Sequence, residues 1–268
     1  MNQSDKDKKI LIVGFALILL MALFYFSKPA FRKNQSDNNL SPEQQASQYP
    51  QITFAELQDK IRKNEDMKII DIRTSDYYGS EHIVDSLNIQ PEKLANAEID
   101  LAKDKLIVIL GEAKIAESEI QTAQILKNQG FTNVKILQGG MANWTANLGQ
   151  TISWGNPESF SDQSKVTFIS HENLKKYLDE KNPVYVLDVR LPSLFSSGHV
   201  AGAVNIPLDD LEKRRQEIPN GKIIITYGDT ELFGFQAGVR LYDLNFFSVQ
   251  VLRSGFDPKT EGILGVVK

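Results

Sequence analysis

Ile69 to Ile89 read IIDIRTSDYYGSEHIVDSLNI, and Val186 to Ile206 read VLDVRLPSLFSSGHVAGAVNI. At a constant offset of 117 these stretches pair Asp71 with Asp188, Arg73 with Arg190, Tyr78 with Phe195, His82 with His199 and Asn88 with Asn205. The same offset pairs Lys105-Leu-Ile-Val-Ile-Leu-Gly111 with Lys222-Ile-Ile-Ile-Thr-Tyr-Gly228. It then drops to 115, pairing Val134 with Val249 and Gly140 with Gly255, as a two-residue deletion within a loop would produce. Self-similarity over most of a chain means one folding unit used twice.

Within the first unit, Lys68–Ile72, Ser86–Ile89, Leu106–Leu110 and Val134–Leu137 are short apolar runs and read as strands. Phe54–Lys63 and Glu117–Gln129 carry helical spacing, and Gly130 supplies a C-terminal stop. Strands alternating with helices predict an α/β fold, a mostly parallel sheet with helices on both faces. An uninterrupted Ile-Val-Ile-Leu run fits a strand buried on both sides. The expected organisation is a tail (1–9), a transmembrane helix (10–27), a flexible linker (28–50), domain one (51–153), an inter-domain linker (154–165) and domain two (166–268).

The constellation resembles the rhodanese-like family. The resemblance is carried by Asp-x-Arg at 71–73 and 188–190 and by Gly198-His-Val-Ala-Gly-Ala-Val-Asn-Ile-Pro207 with its degraded counterpart Glu81–Ile89. The two Lys-led strands and the segment Gly130–Trp144, with its Gly139-Gly140 pair, complete it. It covers everything after about residue 50 and implies two sulfurtransferase-type domains. It also implies a catalytic cysteine directly after the strand Leu106–Leu110 and its copy, at a helix N-terminus where backbone N–H groups and the helix dipole favour a thiolate. Those positions are Gly111 and Gly228, and the 268-residue chain contains no cysteine at all. Sulfur transfer through its own thiol is excluded, as are disulfides, thiolate metal sites and a lipid on cysteine.

The loops that follow are acidic. Gly111–Glu119 holds Glu112, Glu117, Glu119 and a single base, Lys114. Gly228–Phe235 holds Asp229 and Glu231 and no base. Carboxylates there oppose a thiosulfate or phosphate anion, so restoring a cysteine alone is not expected to restore activity. The second loop also carries Leu232, Phe233 and Phe235, which either pack inside the molecule or form an exposed anchor for a partner. Asp71–Arg73 and Asp188–Arg190 read as structural ion pairs, and His82 and His199 as hydrogen-bonded turn residues. No cofactor is implied and no metal-ligand spacing occurs. Ser254 replaces the first glycine of the pair, and Phe256-Asp-Pro258 predicts a lost or reshaped last helix and a loose glycine-rich end in domain two.

Composition is that of a globular protein, with 41% hydrophobic and 24% charged residues and a net charge of −4. That balance offers no basic stripe for nucleic acid. At the other end of the chain, Ile10 to Phe26 (ILIVGFALILLMALFYF) is seventeen residues without a charge, flanked by Lys8 and Lys9 and by Lys28, Arg32 and Lys33. Its length is at the low end for a bilayer-spanning helix, and Ser-Lys-Pro-Ala-Phe-Arg after it is a poor signal-peptidase site. The expected arrangement is an uncleaved anchor through residues 10–27 in the cytoplasmic membrane, with the soluble domains on the outer, periplasmic side. Asn34–Pro50, rich in Gln, Asn and Ser, reads as a tether. The expected function is a non-catalytic interaction or scaffold module whose partner is another membrane or envelope protein. The alternatives are binding of a small ligand in the vacated loops, or a sulfurtransferase-related role using a partner's thiol.

Overall fold

The computed structural model describes residues 49–256 and 264–267. The apolar run and most of the tether lie outside them. Among the described residues no helix is long and apolar enough to cross a membrane. Both repeats belong to one compact unit.

The first domain runs β1 (Gln51–Ile52), α1 (Phe54–Arg62), β2 (Met67–Asp71), α2 (Ser75–Ser80), β3 (His82–Ile83), β4 (Leu87–Asn88), α3 (Pro91–Leu94), β5 (Leu106–Leu110), α4 (Glu117–Asn128), β6 (Asn133–Leu137), α5 (Gly140–Ala146) and β7 (Thr151–Ile152). Its sheet has the order β1-β6-β5-β2-β4, and every pairing in it is parallel. Period-two alternation divides the central strand between two cores. Ile107 and Ile109 face α3 and α4 through Leu94, Ala123 and Leu126. Leu106, Val108 and Leu110 face α1 and α5 through Leu57, Met141 and Trp144. This is why all five residues of β5 are apolar and buried.

A short helix α6 (Phe160–Gln163) lies in the connection. The second domain then repeats the plan with β8 (Thr167–Ile169), α7 (His171–Asp179), β9 (Val184–Asp188), α8 (Pro192–Ser197), β10 (His199–Val200), β11 (Val204–Asn205), β12 (Ile223–Tyr227), α9 (Glu231–Asp243), β13 (Val249–Leu252) and β14 (Val266–Val267). Its sheet order, β11-β9-β12-β13-β8, is again all parallel.

The end of the chain departs from expectation. The glycine-rich end reads as loose in the sequence, yet β14 pairs antiparallel with β10, Val267 opposite His199. The first domain does the same with β7 and β3, Ile152 opposite His82. The 115-residue offset carries Ile152 onto Val267, so the closing ribbon is kept. The segment that matches α5 lies largely outside the described residues.

The two domains are joined by polar contacts. Arg215 makes a two-pronged pair with Asp85 at 2.8 and 2.7 Å. Glu212 accepts the Asp85 backbone N–H and approaches His82 Nε2 at 3.5 Å. Asp243 accepts the N–H and O–H of Ser153 at 3.1 and 3.3 Å and pairs with Lys165 at 2.9 Å. Burial works against the Lys165 charge, but Asp243 and then Asp162 outweigh it and raise the pKa.

Candidate functional site

Each sheet delivers its Asp-x-Arg pair and its glycine loop to the same C-terminal end of its parallel strands, because Asp71 sits opposite Leu110 and Asp188 opposite Tyr227 in register. Arg73 Nε and Nη2 donate to Asp71 at 3.0 and 2.7 Å, and Nη2 also reaches the Glu81 carbonyl at 2.7 Å. Arg190 repeats this with Asp188 at 3.0 and 2.6 Å and the Gly198 carbonyl at 2.8 Å. Asn88 and Asn205 each donate to both carbonyls of their Asp-x-Arg turn, at 2.8–3.0 Å. Burial opposes the Arg73 charge, and Asp71 followed by Glu112 overcomes it and raises the pKa. These pairs are committed to holding the turn that carries the mouth of each domain.

His82 and His199 face the antiparallel ribbons instead. Nδ1 of each lies 2.9 Å from the carbonyl four residues earlier, Tyr78 or Phe195. Each ring stacks on that residue, with centroids 3.8 and 3.7 Å apart. Among the described residues no group of three or more His, Asp or Glu is placed to hold a metal.

The first loop leaves β5 at Gly111 and enters α4 at Glu117. Glu119, in the first turn of α4, folds back over it and is only 4% exposed. Its Oε2 accepts the Ala116 N–H at 3.0 Å and the Ser118 O–H at 2.8 Å. This is half of a capping box, the other half being absent because Ala116 has no side-chain oxygen. A Cβ added to Gly111 would sit 2.7 Å from the Glu119 carboxyl carbon and closer still to Oε1. The protein's own acid thus fills the space that any side chain at this position would need. Of the other acidic residues, Glu112 lies 3.4 Å from Arg73 Nη1 and Glu117 accepts from Gln121 at 3.0 Å. A cavity of about 320 Å³ remains outside, with Arg73, Tyr77, Lys114 and Ser118 in its wall.

The second loop is shorter, Gly228 to Thr230, before α9 begins at Glu231. A Cβ on Gly228 would overlap the Cβ of Phe233. Different chemistry therefore blocks the equivalent position. Of the three apolar loop residues, Phe235 turns inward, 3% exposed, against Phe168, Val166 and Val251, so it is not part of an exposed anchor. Leu232 and Phe233 stay 43% and 42% exposed. Asp229 lines the mouth, and Glu231 accepts the Ser254 N–H at 2.8 Å.

The glycine pair explains itself in this setting. Gly140 has φ +54, and a Cβ there would lie 2.6 Å from the Gly111 carbonyl oxygen. The Gly111 carbonyl accepts the Met141 N–H at 2.9 Å. Gly255 sits equally close to Gly228 and Thr230. The first position of the pair needs a left-handed backbone, which Ser254 adopts at φ +63, and in the first domain a Cβ on Gly139 would also lie 2.6 Å from the Asn143 Cβ.

The rhodanese-like domain profile matches residues 53–147 and 170–258. The chain belongs to the rhodanese-like family. It is 33% identical over 98 residues to the thiosulfate sulfurtransferase GlpE of Coxiella burnetii, covering 37% of this chain and 89% of that protein. It is 32% identical over 96 residues to the uncharacterized protein YibN of Escherichia coli, covering 35% and 65%. Among solved structures, a thiosulfate sulfurtransferase from Pseudomonas aeruginosa aligns over 80% of this chain and 44% of its own, with 19% identity and a TM-score of 0.37.

The sequence singles out Gly111 and Gly228 as a pair, and the fold places them equivalently. It counts Glu119 only as one acid among three. The signal that identifies it is its spacing, the third residue of a helix that lacks a capping side chain. Glu212 and Asp243, which join the domains, have no motif around them.

Proposed function

We propose that this chain is a membrane-tethered pair of catalytically inactive rhodanese-like domains that works by holding a partner protein. The observation that carries this reading is the double filling of the nucleophile position, by Glu119 beside Gly111 and by Phe233 beside Gly228. Decay of an active site removes the thiol and leaves a hole. Here the hole is occupied in both copies by different means, while the ion pairs that shape each mouth are intact. The small-ligand alternative is left with the cavity of about 320 Å³ outside Glu119 at the first mouth. Tethering rests on the seventeen-residue apolar run Ile10–Phe26 and the polar segment after it. The partner is then another membrane or envelope protein on the outer side of the cytoplasmic membrane.

Two measurements test this. The full chain, assayed with thiosulfate and cyanide, should give no turnover above the uncatalysed rate, and clear turnover would sink the reading. Crosslinking in cells should capture a protein whose yield falls with Leu232→Ala and Phe233→Ala. Capture indifferent to both changes removes the second mouth as the contact. Reporter fusions at residues 40 and 268 report the side of the membrane.

A further inference from the structure

We propose that the mouth of the second domain is a socket for a partner-protein segment in which a lysine or arginine side chain is flanked by apolar residues. This rests on the interaction reading above and names what that module grips. The socket is a cavity of about 250 Å³ at the ends of β9 and β12, walled by Val189, Leu191, Pro207, Leu208 and Phe233. That is below the roughly 300–1,000 Å³ of ordinary small-molecule clefts, and closer to the room taken by one long side chain.

The apolar surface does not stop at the rim. Leu191 and Phe233 in its wall are 61% and 42% exposed, and each has an exposed leucine close by in the chain, Leu194 at 38% and Leu232 at 43%, the latter lining the neighbouring cavity with Trp154. A single small amine leaves that surface wet, whereas a peptide segment covers it. The first domain is an internal control. At the repeat offsets, Thr74, Tyr77, Glu117 and Ser118 stand where the second has Leu191, Leu194, Leu232 and Phe233. At these four positions only the second domain is aliphatic or phenyl throughout.

Charge selects the occupant. Asp209 and Asp229 line the socket, both are exposed, and neither makes an ion pair with a described residue. Among the described residues the one cation in the wall, Arg190, is engaged by Asp188 and the Gly198 carbonyl, with its face 3.9 Å from the Phe256 ring. Asp229 is within the field of Arg190 and Asp209 within that of Arg240, yet neither carboxylate is closed into an ion pair among the described residues, so both remain open to an incoming cation. A lysine or arginine stem can lie along Phe233 and Leu208 while its charge meets the two carboxylates. An acidic or uncharged segment would desolvate both carboxylates without pairing them.

The test is a random-peptide display library panned on the full chain in detergent. Enriched peptides should place Lys or Arg next to Leu, Ile, Phe or Trp. Their affinity should fall about tenfold or more with Phe233→Ser, and severalfold with Asp209→Asn plus Asp229→Asn or on raising salt. Ser118→Ala, at the first mouth, should change nothing. Thermal melts confirm that the exposed Phe233→Ser site leaves the fold intact. No enrichment, acidic or uncharged winners, or binding indifferent to Phe233→Ser overturns the socket. If no basic-apolar peptide binds while cellular crosslinking still depends on Leu232 and Phe233, the socket fails and the interaction reading stands. If both fail, both are wrong.

Discussion

Glu119 reaches back across the first loop so that its carboxyl group occupies the space beside the Cα of Gly111. Oε2 is pinned there by the Ala116 N–H and the Ser118 O–H. The loop after β5 is thereby closed onto an acid from its own helix.

A Gly111→Cys variant should therefore be a poor thiol. The new Cβ meets a buried, hydrogen-bonded carboxyl group, and overpacking of this kind costs about 1–3 kcal/mol. Because the chain has no cysteine, a thiol reagent reads this one site. Labelling should be about tenfold slower or more in Gly111→Cys than in Gly111→Cys with Glu119→Ala. Equal rates would show that Glu119 moves aside freely. Neither variant should turn over thiosulfate well, since Glu112 and Glu117 remain.

The Asp-x-Arg pairs should behave as structure. Asp71 is fully buried and Arg73 nearly so, and Asp71→Ala strands the guanidinium. Breaking a buried pair from one side costs about 3–5 kcal/mol, visible as a large drop in the urea midpoint. The partly exposed Asp59, paired on the surface with Arg62 and Lys63, is the control, and Asp59→Ala should leave the midpoint near wild type.

Asp243 is predicted to couple the domains. It receives both donors of Ser153 and the ammonium of Lys165. Asp243→Ala leaves both Ser153 donors without their acceptor, a loss of about 1–3 kcal/mol for each donor left buried and unpaired, while Lys165 keeps Asp162 at 2.9 Å. Calorimetry of the wild type should show one unfolding transition and that of the variant two. A single unshifted transition would place the coupling elsewhere.

Two phenols should resist ionisation. Burial pushes Tyr78 up to about 12, and the Ser86 carbonyl accepts its O–H at 2.7 Å. Tyr227, fully buried beside Asp188, is raised further, by burial first and the Asp188 charge second. The ordinary value is about 10. Both folded values lie above it, so the stabilisation is complete below pH 10. It is lost as pH rises, for Tyr78 through about 12 and for Tyr227 beyond that. Ultraviolet titration of the native protein should fall short of its 8 tyrosines and reach the full count only on unfolding.

Much of the architecture was readable from periodicity. Leu106–Leu110 was expected and found as a strand. Phe54–Lys63 and Glu117–Gln129 were each helices to within one residue, with Lys63 and Gln129 as C-caps. Such elements are dictated locally, by apolar spacing and stop signals. The closing strand β14 was not legible because two residues carry no period. It exists only where β10 offers it an edge.

By itself the sequence determined that one unit is used twice, that no thiol exists, and that the equivalent positions directly after β5 and β12 are both glycine. These are matters of identity and spacing. Only the tertiary structure decided which way the neighbouring side chains turn. Phe233 and Phe235 are two residues apart on one helix, about 200° around its axis, so one must face away when the other is buried. The sheet beneath α9 selects Phe235 for the core and leaves Phe233 at the mouth. Likewise a glutamate in a first helical turn can point to solvent or back to the cap, and the uncapped Ala116 N–H draws Glu119 inward. Side-chain direction is set by what packs against a helix, and that information lies outside the helix's own sequence.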